Sequence, residues 1–387
     1  MNKVLVFLPM IIKGRVNGGV PKVYLNTITA MSNGGSNVMA AFHAQATAID
    51  AAIVDESVIK KPCKFEVPTL SLDSGGLSMF KLLKKILLLF LSILKLRLSD
   101  SRQLDCVLLH DITALPYLFG FKSKEFVVYL HSYRPFNNKV ARLLVHCIRL
   151  SGKKVKFVCP THDIASEINS LIPSKTMVCG TPVIDQARFQ SYFINGGIGG
   201  ASLSVANQLT LVYVGRFSPI KNLKDVVRLL ALAKVNGVCV NLRVYGEPMD
   251  EFQENYKQEV VALVYELGVS SFVEFCGFVA DPIEAFKTGD ASIIFSDGEA
   301  IPMAGLESYL ACKPVLGYDV PGVSDLIGEN ERGEKFKHGD LDLGVLAIKK
   351  MMSRLNNGEY VFDRYLADFT IESWRDNFYN FIGEGEK

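Results

Sequence analysis

The chain has 387 residues, of which 49% are hydrophobic and 21% charged, with 31 glycines and 15 prolines. This composition is that of a folded globular protein, and it excludes a disordered chain, a collagen and a small disulfide-rich scaffold. Up to residue 184, 23 basic side chains stand against 11 acidic ones, a net charge of +12, whereas the remainder has 19 against 29, a net charge of −10. The length predicts two domains, and the charge predicts that the first faces an anionic ligand or membrane surface.

Apolar runs alternate with amphipathic stretches through the first half of the chain. This pattern is typical of buried parallel strands separated by helices. The runs cover 4–8, 37–43, 106–110, 126–131 and 156–160. A glycine-rich stretch at 193–202 then indicates a domain junction or a surface loop.

The same alternation restarts in the second half. Its apolar runs cover 209–214, 241–245, 272–275, 291–295 and 314–318, and helices are predicted over 222–235, 251–267 and 370–382. The sequence therefore predicts an α/β fold with two doubly wound, Rossmann-like domains. The first covers 1–184, with a C-terminal helix at 366–387 packing back on it, and the second covers 185–365.

The segment 79–98 is rich in leucine and lysine. Its longest uncharged run, 86–94, is nine residues, well short of the roughly 20 that span a bilayer as a helix. Four lysines fall on one narrow stripe of the predicted helix: Lys81, Lys84, Lys85 and Lys95. Two interpretations stay open: a core helix with a thin solvated edge, or an interfacial helix whose lysines contact anionic headgroups.

The eight cysteines form no C-x-x-C pair and mostly lie in apolar runs, which predicts buried free thiols in a reducing compartment. The N-terminal run has no small-residue cleavage site, so we expect a cytoplasmic protein without a signal peptide. Basic residues are spread through the first half without interleaved aromatic residues, so no nucleic-acid partner is expected.

Two loops that follow predicted strands carry candidate chemistry. Arg216 and Lys221 lie between a strand and the start of a helix, where cations and free backbone amides suit a diphosphate. Glu299 follows the strand at 291–295, and Glu307 is expected about two turns into the next helix. Both carboxylates are hydrogen-bond acceptors suited to the hydroxyls of a sugar or a ribose.

Taken together, these stretches resemble a known family. They are similar to the C-terminal domain of retaining GT-B glycosyltransferases. The matching features are Gly215, Arg216 and Lys221, the E-x7-E spacing of Glu299 and Glu307, and the stretches 313–315 (KPV) and 320–325 (VPGVSD). More narrowly they resemble the group-one family, numbered four among glycosyltransferases. The likeness is best over 209–335.

The resemblance implies a GT-B fold, with two Rossmann-like domains facing across a cleft. By that resemblance Arg216 and Lys221 hold the donor diphosphate, Glu299 contacts the donor sugar and Glu307 binds the ribose. Gly215 and the backbone amides of Met303 and Ala304 are expected to meet the donor as well. No metal and no cofactor are implied, since the basic pair stabilises the leaving phosphate.

The resemblance also assigns roles in the first domain. Gly18 and Gly19 match a Gly-Gly loop that lets the backbone approach the donor. His110 and His131 both end apolar strands, and His131 is the better match to the family's active-site histidine, which contacts the donor sugar. Three stretches depart from the family pattern. The sequence has 300–302 (AIP) in place of Gly-Phe-Gly and Asp325 in place of Glu, and 218–220 (SPI) precedes Lys221 without the usual following glycine.

The resemblance thus implies an enzyme that moves a sugar from a UDP- or GDP-sugar to a glycan acceptor with retention. We expect the acceptor to be lipid-linked, in O-antigen, capsule, exopolysaccharide or lipopolysaccharide biosynthesis. The enzyme would then work in the cytoplasm, at the inner face of the membrane as a peripheral protein. Three alternatives stay open: a transferase for a soluble acceptor, a nucleotide-sugar epimerase, and a non-catalytic nucleotide-sugar-binding scaffold.

Overall fold

The structure is a computed structural model that describes residues 3–8, 19–43, 63–65, 90–91, 93–94, 97, 104–110, 112–131, 139–150, 152–172, 175–178, 180–183, 203, 205 and 207–383. The chain divides into two compact units. Unit 1 comprises Met1–Ile184 and Phe369–Lys387, and unit 2 comprises Asp185–Asp368.

The described residues of unit 1 form a parallel sheet of seven strands. They are β1 (Lys3–Leu8), β2 (Asn37–His43), β3 (Cys63–Phe65), β4 (Leu104–His110), β5 (Ser123–Tyr129), β6 (Val155–Cys159) and β7 (Lys175–Val178). Their order across the sheet is β3-β2-β1-β4-β5-β6-β7. The helices are α1 (Gly19–Asn33), a 3₁₀ helix (Ile112–Phe119), α2 (Lys139–Leu150) and α3 (His162–Leu171). Five successive residues of β4, from Cys106 onwards, are buried, as expected for a strand covered on both faces.

Unit 2 contains a parallel sheet of six strands. They are β8 (Gln208–Val214), β9 (Cys239–Tyr245), β10 (Val273–Gly277), β11 (Ala291–Ile294), β12 (Val315–Tyr318) and β13 (Gly333–Phe336), in the order β10-β9-β8-β11-β12-β13. The helices are α4 (Leu223–Val235), α5 (Glu251–Glu266), α6 (Pro282–Lys287), α7 (Met303–Leu310), α8 (Val323–Ile327), α9 (Leu341–Asn356) and α10 (Asp363–Leu366). Short 3₁₀ turns lie at Pro219–Lys221, Ser270–Phe272 and Ala367–Phe369.

Side-chain caps explain where several helices begin. The first residues of a helix have amides without an intrahelical acceptor, so a preceding Asp, Ser or Thr stabilises the start. Asp250 accepts from the amide of Gln253 at 2.8 Å before α5, and Asp340 accepts from the amide of Leu343 at 3.2 Å before α9. Thr161 accepts from the amide of Ile164 at 3.4 Å before α3.

The last helix, α11 (Ile371–Gly383), belongs to unit 1 although it follows all of unit 2 in the chain. Trp374 and Phe378 are fully buried in unit 1, and the Trp374 ring stacks on Tyr129 with centroids 5.9 Å apart. Lys156 on β6 donates to the carbonyl of Ile382 at 3.1 Å. The helix is therefore part of the hydrophobic core of unit 1.

Among the described cysteines Cys106 and Cys159 are buried, but Cys239 is exposed, so the prediction of buried thiols is wrong for that residue. Cys239 is the first residue of β9, at the exposed end of the strand.

The four lysines of the segment 79–98 lie outside the described residues. Of that segment, Phe90, Leu91 and Leu94 are helical and are 60%, 49% and 42% exposed.

The helices that the structure describes include none that is both long enough and apolar enough to cross a membrane.

Candidate functional site

The sheet of unit 2 has a topological switch point between β8 and β11. From β8 the chain proceeds by α4 to β9 on one side, whereas β11 pairs with β8 on the other. Loops that leave the carboxyl ends of these two strands diverge there, and the crevice between them is where open α/β sheets bind ligands. The loop after β8 carries Arg216 and Lys221, and the loop after β11 carries Glu299.

Lys221 and Glu299 meet across this switch point. The Lys221 ammonium donates to Glu299 Oε1 and forms an ion pair with it, with the two side chains 26% and 20% exposed. Arg216 lies five residues earlier in an exposed position, and its carbonyl accepts from the buried Tyr213 hydroxyl at 2.6 Å. The structure thus brings Lys221 and Glu299 together, and Arg216 lies on the same loop as Lys221.

Further residues join the two loops, and sequence reasoning did not single them out. Asn222 has a left-handed backbone, with φ 50°, and its side-chain amide donates to the Phe295 carbonyl at 3.0 Å and to Asp297. The amide of Asp297 donates to the Ile220 carbonyl at 3.0 Å, and its carboxylate lies 3.0 Å from His338 Nε2. These bonds hold the backbone on either side of Lys221 against the end of β11.

The N-terminus of α7 lies after the second loop. Met303 and Ala304 are its first two residues, and the Pro302 cap makes no side-chain hydrogen bond to them. The amides of a first helical turn have no intrahelical acceptor and carry a partial positive charge, so this end favours an anion. Pro302 has no amide of its own, but it precedes the turn and leaves both of the expected amides in place.

Glu307 lies on α7 at 7% exposure. Because the helix begins at Met303, the residue is only about one turn from its N-terminus, and the expectation of two turns is wrong. The helix begins late because Pro302 is its cap and the preceding residues remain in the loop. Glu307 is therefore closer to the free amides than the sequence predicted.

A tight turn after β12 supports the backbone of Glu299. The Glu299 amide donates to the Pro321 carbonyl at 3.4 Å. Gly322 has φ +78°, and a Cβ atom at this position would lie 2.0 Å from the Glu299 carbonyl oxygen. Only glycine combines this backbone angle with so close an approach. The turn and the loop after β11 therefore form one packed unit.

Unit 1 has its own switch point, between β1 and β4. Gly19 begins α1, which follows β1, whereas Gly18 lies outside the described residues. His110 ends β4 and is fully buried, and His131 lies two residues beyond β5 and is half-buried. His110 Nδ1 and His131 Nε2 are 2.9 Å apart.

Aromatic rings pack against both histidines. Tyr24 meets His110 edge to face with centroids 5.2 Å apart, and Tyr129 stacks on His131 at 4.5 Å. Burial lowers the pKa of His131 to about 3, and burial with the neighbouring His131 lowers the pKa of His110 well below its usual value. Both rings are therefore neutral at physiological pH.

The predicted site residues thus form two sets, one in each unit. Unit 2 holds Gly215, Arg216, Lys221, Glu299, Met303, Ala304 and Glu307, and unit 1 holds Gly19 and His131. Over the part of the chain that the structure describes, no group of three or more His, Cys, Asp or Glu side chains could hold a metal ion.

Comparison with known proteins finds a family model that matches most of unit 2. Residues 201–357 match the model described as glycosyl transferases group 1. EpsD of Bacillus subtilis (strain 168), which bears the name of a glycosyltransferase, is 31% identical over 130 residues, or 34% of this chain and 32% of EpsD. SCO2592 of Streptomyces coelicolor, named an exopolysaccharide phosphotransferase, is 27% identical over 179 residues, or 44% and 18% of the two chains. The chain spans a third or less of the curated relatives it matches.

Solved structures share the fold over the whole chain. HepE of Anabaena, in complex with UDP and glucose, superposes with a TM-score of 0.67 at 14% identity over 99% of this chain and 100% of that one. The lipopolysaccharide outer core galactosyltransferase WaaB gives 0.69 at 18% identity, with both chains fully covered. Sucrose-phosphate synthase from Thermosynechococcus elongatus gives 0.71 at 14% identity, again over both whole chains. These are GT-B structures, so the predicted fold of two Rossmann-like α/β domains is confirmed.

Proposed function

Because residues 201–357 match the glycosyl transferases group 1 model and the whole chain has the GT-B fold, we propose that this protein is a retaining glycosyltransferase. It transfers a sugar from a UDP- or GDP-sugar to a glycan acceptor. The observation that carries the proposal is the Lys221–Glu299 contact at the switch point of unit 2. Arg216 lies on the same loop as Lys221, and α7 begins after the loop of Glu299.

The leaving group of such a reaction is a nucleoside diphosphate, and its departure creates negative charge. Arg216, Lys221 and the first amides of α7 are positioned groups of positive charge, which stabilise this developing charge more in the transition state than in the ground state. An ammonium has three donors, so Lys221 can keep its bond to Glu299 while it donates to a phosphate oxygen. These groups supply the positive charge, so the proposed reaction needs neither a metal nor a cofactor.

The carboxylates and the histidine recognise the rest of the donor. Glu299 accepts from the hydroxyls of the sugar, and Glu307 accepts from the ribose. By resemblance to the family, His131 contacts the donor sugar. The complexes of HepE with UDP and glucose support a nucleotide-sugar donor, since that protein shares the fold.

We propose a lipid-linked acceptor at the inner face of the cytoplasmic membrane, in the assembly of a surface polysaccharide. Residues 1–184 carry a net charge of +12, and Phe90, Leu91 and Leu94 expose apolar side chains in a segment whose four lysines are part of that charge. Basic and apolar groups together favour an anionic membrane surface. The names of SCO2592 and WaaB, which refer to exopolysaccharide and lipopolysaccharide, support this class of product.

The first experiment measures thermal unfolding with UDP, GDP, ADP and CMP and with their common sugar conjugates. A ligand that binds the folded state raises the melting temperature. We expect a selective shift with UDP or GDP compounds, lost in Glu307→Gln.

Donor turnover should fall about 10²- to 10³-fold in Lys221→Met, because the variant loses one group that stabilises the charge of the leaving diphosphate. Lys349→Met, at an exposed position on α9, is the control and should behave as wild type.

Binding and turnover measured together separate the alternatives. An epimerase forms a second nucleotide sugar without an acceptor, and a binding scaffold gives a shift without turnover. A transferase for a soluble acceptor works at full rate without membranes. Retention is read from the anomeric configuration of the transferred sugar by NMR, and an inverted product contradicts the proposed mechanism. No shift with any nucleotide contradicts the proposal as a whole.

A further inference from the structure

The hydrogen bond between His110 and His131 raises the question of which ring is the donor. Strands β4 and β5 are parallel neighbours, with His110 opposite Tyr129, so the strand ends bring both histidines to one edge of the sheet. The ring planes differ by only 13°, with centroids 5.0 Å apart. The nitrogens are 2.9 Å apart, closer than the roughly 3.5 Å at which the faces of two rings touch, so the rings meet edge to edge.

Two arrangements of protons satisfy this contact, because each neutral imidazole carries one N–H and one lone pair. In the first, His110 Nδ1–H donates to His131 Nε2, and the proton of His131 is on Nδ1. In the second, His131 Nε2–H donates to His110 Nδ1, and the proton of His110 is on Nε2. The two arrangements give His131 opposite properties at Nδ1, a donor in the first and an acceptor in the second.

The far side of His110 decides between them. His110 is 0% exposed, and its Nε2 atom is buried with no hydrogen-bond partner. The second arrangement leaves an unpaired N–H at that buried position, whereas the first leaves only an unpaired lone pair. Buried N–H groups without an acceptor are rarer and more costly than acceptors without a donor. The first arrangement is therefore favoured.

We propose that His110 is a positioning residue that holds His131 in the tautomer with its proton on Nδ1. His131 then presents an N–H donor to the ligand and does not act as a base. Its ring plane is fixed by Tyr129, which stacks on it at 4.5 Å and is itself stacked on Trp374. The inference rests on the proposed function for one point, which is that the ligand of His131 is the donor sugar. The Nδ1–H group of His131 would then donate to a hydroxyl oxygen of that sugar.

The tautomer is measured directly by ¹⁵N NMR on protein labelled at histidine. The chain has six histidines, so the signals can be assigned with single substitutions. We expect His131 to show a protonated Nδ1 and an unprotonated Nε2, with His110 also protonated at Nδ1. Protonation of His131 at Nε2 overturns the proposal. This measurement needs no ligand, so it is independent of the proposed function.

Variants test whether His110 is the cause. His110→Phe keeps a flat ring and removes the donor, so His131 should lose its single tautomer. His110→Asn can place an amide N–H near the position of Nδ1, and it should restore the wild-type signals of His131. His146→Asn, at an exposed position on α2, is the matched control. Wild-type tautomer signals of His131 in His110→Phe overturn the proposal.

Binding gives the readout that a merely structural role would not change. We expect His110→Phe to weaken the affinity for the UDP-sugar identified as donor by about tenfold, with the affinity for UDP alone unchanged. Equal loss for both ligands overturns the positioning role. If the tautomer is as expected and the wild-type protein binds no nucleotide sugar, the proposed function fails and the role of His110 in donor recognition fails with it.

Discussion

At the scale of single residues, Glu334 shows how this protein buries a charge. It lies on β13 at 2% exposure, where its Oε1 accepts from Arg354 at 2.7 Å and from the Tyr360 hydroxyl at 3.0 Å. Its Oε2 is 2.8 Å from the ammonium of Lys350. These donors offset the cost of removing the carboxylate from water. Because Lys350 and Arg354 lie on α9, the cluster ties that helix to the edge of the sheet.

We expect Glu334→Ala to lower the free energy of unfolding by about 1–3 kcal/mol, since it leaves the buried Tyr360 hydroxyl without its acceptor and removes one of the two carboxylates that pair with Arg354. Urea denaturation measures the loss. Glu359→Ala is the matched control, because Glu359 contacts the same arginine at 3.0 Å from an exposed position. Exposed ion pairs contribute little to stability, so the control should lose much less. Equal losses in the two variants contradict this account of the cluster.

The residues of the candidate site could be predicted to different degrees. Lys221 and Glu299 each follow an apolar strand, so their place at the carboxyl edge of a sheet follows from local sequence. Their contact depends on β8 and β11 being neighbours, which only the structure shows. The hydrogen bond of His110 with His131 depends on β4 and β5 being neighbours, which no local pattern reveals. Glu334 has no sequence signal, because a buried carboxylate in a short strand looks like an exposed one.

At the scale of elements, the apolar strands were predicted and the short strands with polar residues were not. The ten predicted runs are all strands, with ends that differ by a few residues. Strands β3, β7 and β13 were missed because each has only three or four residues and contains a lysine. Such runs become strands through pairing with a neighbour at the edge of the sheet, which is a tertiary effect.

The turn between β12 and α8 makes a prediction at this scale. Gly322→Ala should lower both stability and affinity for the nucleotide sugar, because a Cβ 2.0 Å from the Glu299 carbonyl must displace the loop after β11. Gly339→Ala is the control: its φ is +77°, but no atom lies within 4 Å of the added Cβ. It should lose only the roughly 1–2 kcal/mol of a left-handed alanine and keep its affinity. The two are compared by thermal unfolding and by titration with the UDP-sugar, and equal affinities contradict the coupling.

At the scale of the whole molecule, charge is divided between the two halves of the chain, +12 up to residue 184 and −10 after it. If the acceptor is lipid-linked, the excess of positive charge orients unit 1 towards an anionic bilayer. The attraction amounts to about 1 kcal/mol for each lysine near the surface and is screened by salt.

We therefore expect the protein to bind vesicles that contain anionic phospholipid and to be released at high salt. Replacing Lys81, Lys84, Lys85 and Lys95 with Gln should weaken this binding about 100-fold or more. A matched variant replaces four lysines of unit 2, Lys234, Lys257, Lys287 and Lys349, and should bind as wild type. Co-sedimentation measures both. Equal binding by the two variants contradicts a membrane surface at 79–98.

The return of α11 to unit 1 has a consequence for synthesis on the ribosome. Unit 1 lacks the buried rings of Trp374 and Phe378 until Phe369–Lys387 has been made, and all of Asp185–Asp368 is made before that. At about 5–20 residues per second the delay is roughly 10–40 s, during which the first unit to be translated exposes the apolar surface that α11 later covers. Unit 2 is complete in one continuous stretch and can fold first. A nascent chain stalled before residue 369 should therefore recruit chaperones through unit 1.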